Sequence, residues 1–273
     1  NHILDIFTVA VHYSNRYKSA EDFLETHLHN CNSKRKIIYF RENSPQKIIK
    51  DFMKNYITKV EEINITKMEL YYLWLYFIKE NKIPNILDID SFQKQISKMN
   101  YKYCEENQKY EGITSNYLSY IKIFRLFWNE TIILDEESED EFETSELFSL
   151  FNEWYNKDGN VEISFLDQIT MVSVYKHFYN MKLEDNKIIK NITCSLWNKS
   201  ESINEILDEL KVGYEVLDEC NISFQRLYKD YCESLMLNNK RRIVSKHYFL
   251  KYIGKVIPQQ YIKNNYILCD YWN

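Results

Sequence analysis

Apolar residues fall at i, i+3, i+4, i+7 and i+8 in three separate stretches of the chain. They are Leu70, Leu73, Trp74, Phe77 and Ile78; Leu147, Leu150, Phe151, Trp154 and Tyr155; and Phe224, Leu227, Tyr228, Tyr231 and Cys232. On a helix of 3.6 residues per turn this spacing makes a single stripe, so each stretch predicts an amphipathic helix with one buried face. The three faces begin 77 residues apart, and the stretch after each closes on a Trp-Asn pair: Trp128-Asn129, Trp197-Asn198 and Trp272-Asn273. Evenly spaced units that open on a helix predict a tandem array of small modules rather than one enzyme core. The competing account is coincidence, because 16% of the residues are aromatic.

Around these faces the pattern predicts helices over residues 3–17 and 20–30, a short strand at 36–40, and a helix over 45–59 that Ser44 caps and Pro45 opens. Thr66 and Glu69 form a capping box for a helix over 67–80. A second helix starts at Asp90-Ser91 and carries Phe92, Ile96 and Met99; extended residues at 101–103 and near Tyr110 lead to a helix over 117–128. The second module reads as the Leu147 helix, a helix over 166–178 and a strand-like 188–196, followed by a connecting helix over 203–220. The third has a helix over 223–235, a second over 246–253 capped by Ser245, and a hairpin turning at Asn264-Asn265. Helix, helix, hairpin is how a winged helix looks in sequence. The fold class expected is therefore mainly α, built of tandem small helical or winged-helix-like modules with short β-hairpins. The expected divisions are an N-terminal helical region over 1–60, a first helical module over 61–134, an acidic linker over 135–146, a second module over 147–202 and a winged-helix-like module over 203–273.

Composition sharpens this picture. Only 4 glycines and 3 prolines are present in 273 residues, so tight turns fall to Asn, Asp and Ser, which favours helices. Gly112, Gly159, Gly213 and Gly254 stand apart, so neither GxGxxG nor GxxxxGK[ST] exists and a nucleotide-phosphate cradle of either kind is excluded. Six scattered cysteines without a CxxC read as reduced thiols, and the five N-x-S/T sequons as products of an Asn-rich composition, not as glycosylation sites. No apolar run approaches the ~20 residues that span a bilayer. The chain opens Asn1-His2-Ile3 without Met, which reads as a segment of a longer polypeptide or a processed product. An intracellular location, not a secreted one, is expected.

Charge supplies two features. Residues 135–146 hold eight carboxylates in twelve residues and no base, which predicts a solvated, extended linker. The alternative is an acidic segment that mimics nucleic acid or docks on a basic surface, including one in the same chain. Conversely, no carboxylate lies between Glu233 and Asp270, while Lys240, Arg241, Arg242, Lys246, Lys251, Lys255 and Lys263 do. On a chain of net charge −5 this run is the candidate nucleic-acid-binding surface, with a capped helix for a groove and basic flanks for phosphates. A solvated face is the competing reading. Tyr248, Phe249, Tyr252, Tyr261 and Tyr266 read as core, with a stacking platform for single strands as the alternative. His27, His29 and Cys31 alternate without a second half, so no metal is expected; Asp88 and Asp90 stand where a helix begins and read as capping. No catalytic signature and no cofactor site is read.

In the third module Leu227-Tyr228, Tyr231-Cys232, Ile243-Val244-Ser245-Lys246, Tyr248-Phe249 and Tyr252-Ile253, with a hairpin ending at Trp272, resemble the winged-helix-type tail of primase-helicases. These are the superfamily 3 helicase proteins of nucleocytoplasmic large DNA viruses, of poxvirus and giant-virus type. Glu69-Leu70-Tyr71, Phe92 and the stretch from Gly112 to Trp128 resemble the same tails more loosely. The resemblance implies a non-catalytic accessory region in the viral factory or host nucleus, contacting DNA or the rest of a replication protein and no membrane, with Ser245, Lys246 and Lys251 at matched positions. The helicase P-loop is absent from this chain. The alternative function is a helical protein-interaction scaffold that binds no nucleic acid.

Overall fold

The computed structural model describes residues 2–19, 22, 26, 39–85, 87–136, 138, 140–157, 166–217, 221–237 and 242–272. The chain divides into two compact units, Asn1–Ser119 and Tyr120–Asn273.

In the first unit α1 (His2–Ser14) precedes a module of three helices and three strands. These are α2 (Pro45–Tyr56), β1 (Thr58–Thr66), α3 (Lys67–Glu80), α4 (Ile89–Ser97), β2 (Tyr103–Cys104) and β3 (Lys109–Thr114). Pro45 at the first turn and the Ser44 hydroxyl, which accepts from the Lys47 amide, start α2 as the sequence predicts. The Thr66–Glu69 capping box starts α3: the Thr66 hydroxyl accepts from the Glu69 amide at 3.1 Å and the Glu69 carboxylate accepts from the Thr66 amide at 2.9 Å. Both orphan donors sit at a partly buried helix start, so Thr66→Ala is expected to lower the unfolding free energy by about 1 kcal/mol in a urea titration. An unchanged midpoint would show that water satisfies these amides equally well. The predicted stripe faces inward: Leu70, Leu73, Trp74 and Phe77 are buried, and the Phe52 ring of α2 meets Trp74, Phe77 and Phe92 at 5.5–6.0 Å between centroids.

The second unit holds two further modules. The first runs α5 (Leu118–Thr131, whose first turn begins in the first unit), β4 (Ile132–Leu134), β5 (Glu141–Glu143), α6 (Thr144–Asn156), α7 (Gln168–Phe178), β6 (Ile188–Lys190) and β7 (Ile192–Cys194). The next runs α8 (Lys199–Leu217), β8 (Ile222–Ser223), α9 (Phe224–Leu237), α10 (Lys246–Val256), a short 3-10 turn (Gln259–Tyr261), β9 (Ile262–Lys263) and β10 (Tyr266–Ile267). Leu147, Phe151, Leu227 and Tyr231 of the predicted stripes are buried, whereas Trp154 and Tyr228 at their edges are half-buried.

One connectivity recurs in all three modules, helix, strand, helix, helix, hairpin, to which the middle module adds a second strand pair, β4 with β7. In each, the far strand of the hairpin pairs antiparallel with the strand between the first two helices. The sheet orders are β1-β3-β2 and β8-β10-β9, and in the middle module β6 pairs with β5 on one side and bridges through Ile188 to Glu184 on the other. The junction from strand to second helix also recurs. The Glu146 carboxylate accepts from the Glu143 amide at 2.8 Å as Glu69 does from Thr66, and the Ser223 hydroxyl accepts from the Arg226 amide at 3.2 Å.

The expectation of a mainly α chain with hairpins alone is corrected. Helix accounts for 59% and strand for 16% in several small sheets, a mixture of helices and sheets. β1, β4, β5 and β8 were not legible in the pattern. β1 carries a bulge between Lys59 and Asn64, with Glu62 at φ 73° opposite Gly112 at φ 71°, and the bulge breaks the two-residue alternation that marks a strand. The others are two or three residues long. The helix expected over 45–59 accordingly stops at Tyr56 and gives way to β1, and Tyr39 and Phe40, expected in a strand, are helical. The helix expected over 20–30 lies largely outside the described residues. Asparagine does take the place of glycine in turns: Asn100, Asn180, Asn186, Asn191, Asn221, Asn264 and Asn265 all have φ between 51° and 65°.

Candidate nucleic-acid interface

α10 follows the pattern expected of it, with the Ser245 hydroxyl accepting from the Tyr248 amide at its start, Phe249 and Ile253 buried, and the Phe249 ring 4.7 Å from that of Tyr231 on α9. The opposite side of a helix lies two residues from each core position, and here it carries His247, Lys251 and Lys255. That side is where a groove-binding helix meets its ligand.

The acidic segment of the middle module occupies it. Lys251 Nζ donates to Glu141 Oε2 at 2.7 Å, His247 Nε2 lies 3.3 Å from Glu141 Oε1, and the Tyr248 hydroxyl donates to Asp140. At the helix start the Ser245 amide donates to Glu146 Oε1 at 3.1 Å. Arg242, just before it, holds Glu153 through Nε at 3.2 Å and Nη2 at 2.5 Å, and its Nη1 donates to the Leu196 carbonyl. Residues 140–146 are thus neither solvated nor a linker at this point: Glu141 is 3% exposed and paired in β5, and the stretch lies inside the second compact unit. Self-repulsion is relieved because bases on α8 and α10 meet the carboxylates.

At the centre is Lys199, 2% exposed. Its ammonium donates to Glu146 Oε2 at 2.5 Å and to the Glu141 carbonyl at 2.8 Å, and lies 4.3 Å from the Phe142 ring, 4.7 Å from Tyr248 and 5.2 Å from Trp197. Burial pulls the Lys199 pKa below its ordinary value, with Glu146 opposing. Burial also raises the Tyr248 phenol, and the Asp140 carboxylate raises it further. No sequence motif marks Lys199, one of several lysines that follow the acidic run.

Of the seven basic residues read as candidates, the structure joins Arg242 and Lys251 to carboxylates and leaves Lys246, Lys255 and Lys263 exposed, while Lys240 and Arg241 lie outside the described residues. Tyr248 and Phe249 are core, Tyr252 and Tyr261 half-buried, and Tyr266 is 47% exposed. Asp88 caps α4, accepting from the Ser91 amide at 2.7 Å, which lowers its carboxyl pKa; Asp90 pairs with Lys67 at 3.0 Å. His27, His29 and Cys31 lie outside the described residues. Among the described residues no group of three or more His, Cys, Asp or Glu is placed to hold a metal ion, and no helix is long and apolar enough to cross a membrane. Comparison of the chain with family models, with curated proteins and with solved structures gave no match.

Proposed function

We propose that this chain is a non-catalytic DNA-binding region of a larger replication protein, made of three winged-helix-like modules. The observation that supports this reading is the recurrence in all three modules of helix, strand, helix, helix, hairpin, with a strand after the last two helices pairing antiparallel with the strand before them. Helix-turn-helix proteins lay the second helix of the pair in the major groove and place basic flanks on phosphates. The sequence resemblance to the tails of viral primase-helicases fits the same role.

Titration of labelled duplex DNA with the full chain tests it. Binding is expected at low salt and should weaken steeply between about 50 and 200 mM, because each neutralised phosphate releases counterions. Absence of binding at low salt would favour the other reading, a protein-interaction scaffold. That reading has its own support in α1, which exposes Ile3, Leu4, Ile6 and Phe7, each at least 65% accessible.

A further inference from the structure

The three modules do not present their second helices alike. On α10 the side away from the core is met by Glu141, through Lys251 and His247. On α7 the corresponding side carries Ile169, 72% exposed, together with Ser173 and Lys176. On α4 the core positions are Phe92 and Ile96, and the side away from them carries Asp90 and Lys94 and is continued by Lys98, the C-cap residue, whose backbone keeps the right-handed helical conformation. Lys94 and Lys98 are exposed, and among the described residues neither is in an ion pair. They are one turn apart, about 5–6 Å between Cβ atoms, a spacing that suits neighbouring oxygens along one phosphate strand. Asp90 on this side is already held by Lys67 at 3.0 Å, and Asp88 at the helix start, which feels the charge of Lys94, accepts from the Ser91 amide.

We infer that α4 of the first module, through Lys94 and Lys98, is the element of this chain that contacts duplex DNA, and that α10 serves as an internal docking helix for the acidic strand β5. This rests on the DNA-binding reading above and names the site within it. Duplex is favoured over single strands because the exposed side of α4 carries no aromatic ring for base stacking: Phe92 is buried, and Tyr101, just past the helix, is half-buried with Lys59 Nζ 6.0 Å above its ring. The hairpin tip adds a second feature. Its exposed residues are Glu105, Glu106, Asn107, Gln108 and Lys109, beside the Lys102–Glu111 ion pair, so this wing is net acidic and the helix carries the contact.

The test is equilibrium binding of a labelled duplex by the full chain at low and moderate salt. Three charge reversals on exposed lysines are compared: Lys94→Glu with Lys98→Glu, Lys246→Glu with Lys255→Glu on α10, and Lys50→Glu with Lys54→Glu on α2 as the control for net charge. The α4 pair is expected to weaken binding at least about tenfold at low salt and to lower the salt slope by about two, the share of two phosphate contacts. The other two pairs are expected to cost less. Glu105→Gln with Glu106→Gln is expected to tighten binding. Because glutamates in the last turn oppose the helix dipole, Lys94→Gln with Lys98→Gln is measured as well, and a loss of the same kind is expected with the circular dichroism of the parent. A parent chain that binds while the α4 variants bind as it does, or while the α10 pair costs more, overturns the assignment to α4. A parent chain that binds no duplex overturns the DNA-binding reading itself.

Discussion

Raising the pH above 10 is expected to unfold this protein cooperatively, with tyrosine ionisation and loss of helix occurring together. Tyr110, Tyr175, Tyr231 and Tyr248 are each at most 4% exposed. Burial pushes Tyr110 up to about 12 and holds Tyr175, Tyr231 and Tyr248 well above the ordinary phenol value near 10. Between the unfolded value and the raised folded values the folded chain therefore binds more protons than the unfolded chain. Stability contributed by these groups is intact below pH 10 and is lost as pH rises through the folded values, at about 1.4 kcal/mol per pH unit for each retained proton. Four retained protons make that roughly 5 kcal/mol per unit, against a total stability on the order of 5–15 kcal/mol for ordinary domains. Lys199 acts in the opposite direction: its lowered pKa adds stability as pH rises toward about 10.5, one group against four. Tyrosinate absorbance and far-ultraviolet circular dichroism followed together from pH 9 upward check this. Tyrosines that ionise one by one near pH 10 with the helix signal intact would contradict the burial.

Lys199→Ala is expected to destabilise the second unit by about 3–5 kcal/mol, the range for removing one partner of a buried ion pair. The ammonium is enclosed by three rings and donates to a carbonyl and a carboxylate, so its loss opens a cavity and leaves the Glu141 carbonyl unpaired. Glu146 would keep the amides of Glu143 and Ser245, which softens the loss of its cation. Lys199→Met, which retains the volume among Phe142, Trp197 and Tyr248, is expected to cost less than alanine. Urea unfolding with probes in each unit separates the effect. A variant with the parent's midpoint would mean that the enclosed ammonium contributes no net stability.

Both predictions rest on features that sequence reading located only in part. The stripes at Leu70, Leu147 and Leu227 were legible because a buried helix face imposes a 3.6-residue period that no neighbour has to supply. So were the caps at Ser44, Thr66, Asp88 and Ser245, since an orphan amide and a side-chain acceptor three residues away are local partners. The strands β1, β5 and β8 were hidden for the converse reason. A strand of two or three residues, or one broken by a bulge, is defined by the partner that receives its hydrogen bonds, and β5 and β6 are paired across more than forty intervening residues.

The amino-acid order by itself determined three amphipathic helices at an even interval, their caps, turns built from asparagine instead of glycine, and two charge blocks of opposite sign. Only the tertiary structure decided what those blocks do. A run of carboxylates alone repels itself and belongs in water; in the fold Lys199 meets Glu146 and Lys251 meets Glu141, and Glu141 can then be buried. Coulomb energy depends on distance in space, and distance in space between residues 141 and 251 is not written in either segment. For the same reason the basic run that stood out in sequence is turned inward on its own chain at Arg242 and Lys251, while Lys94 and Lys98, unremarked among ordinary surface lysines, are exposed and in no ion pair among the described residues.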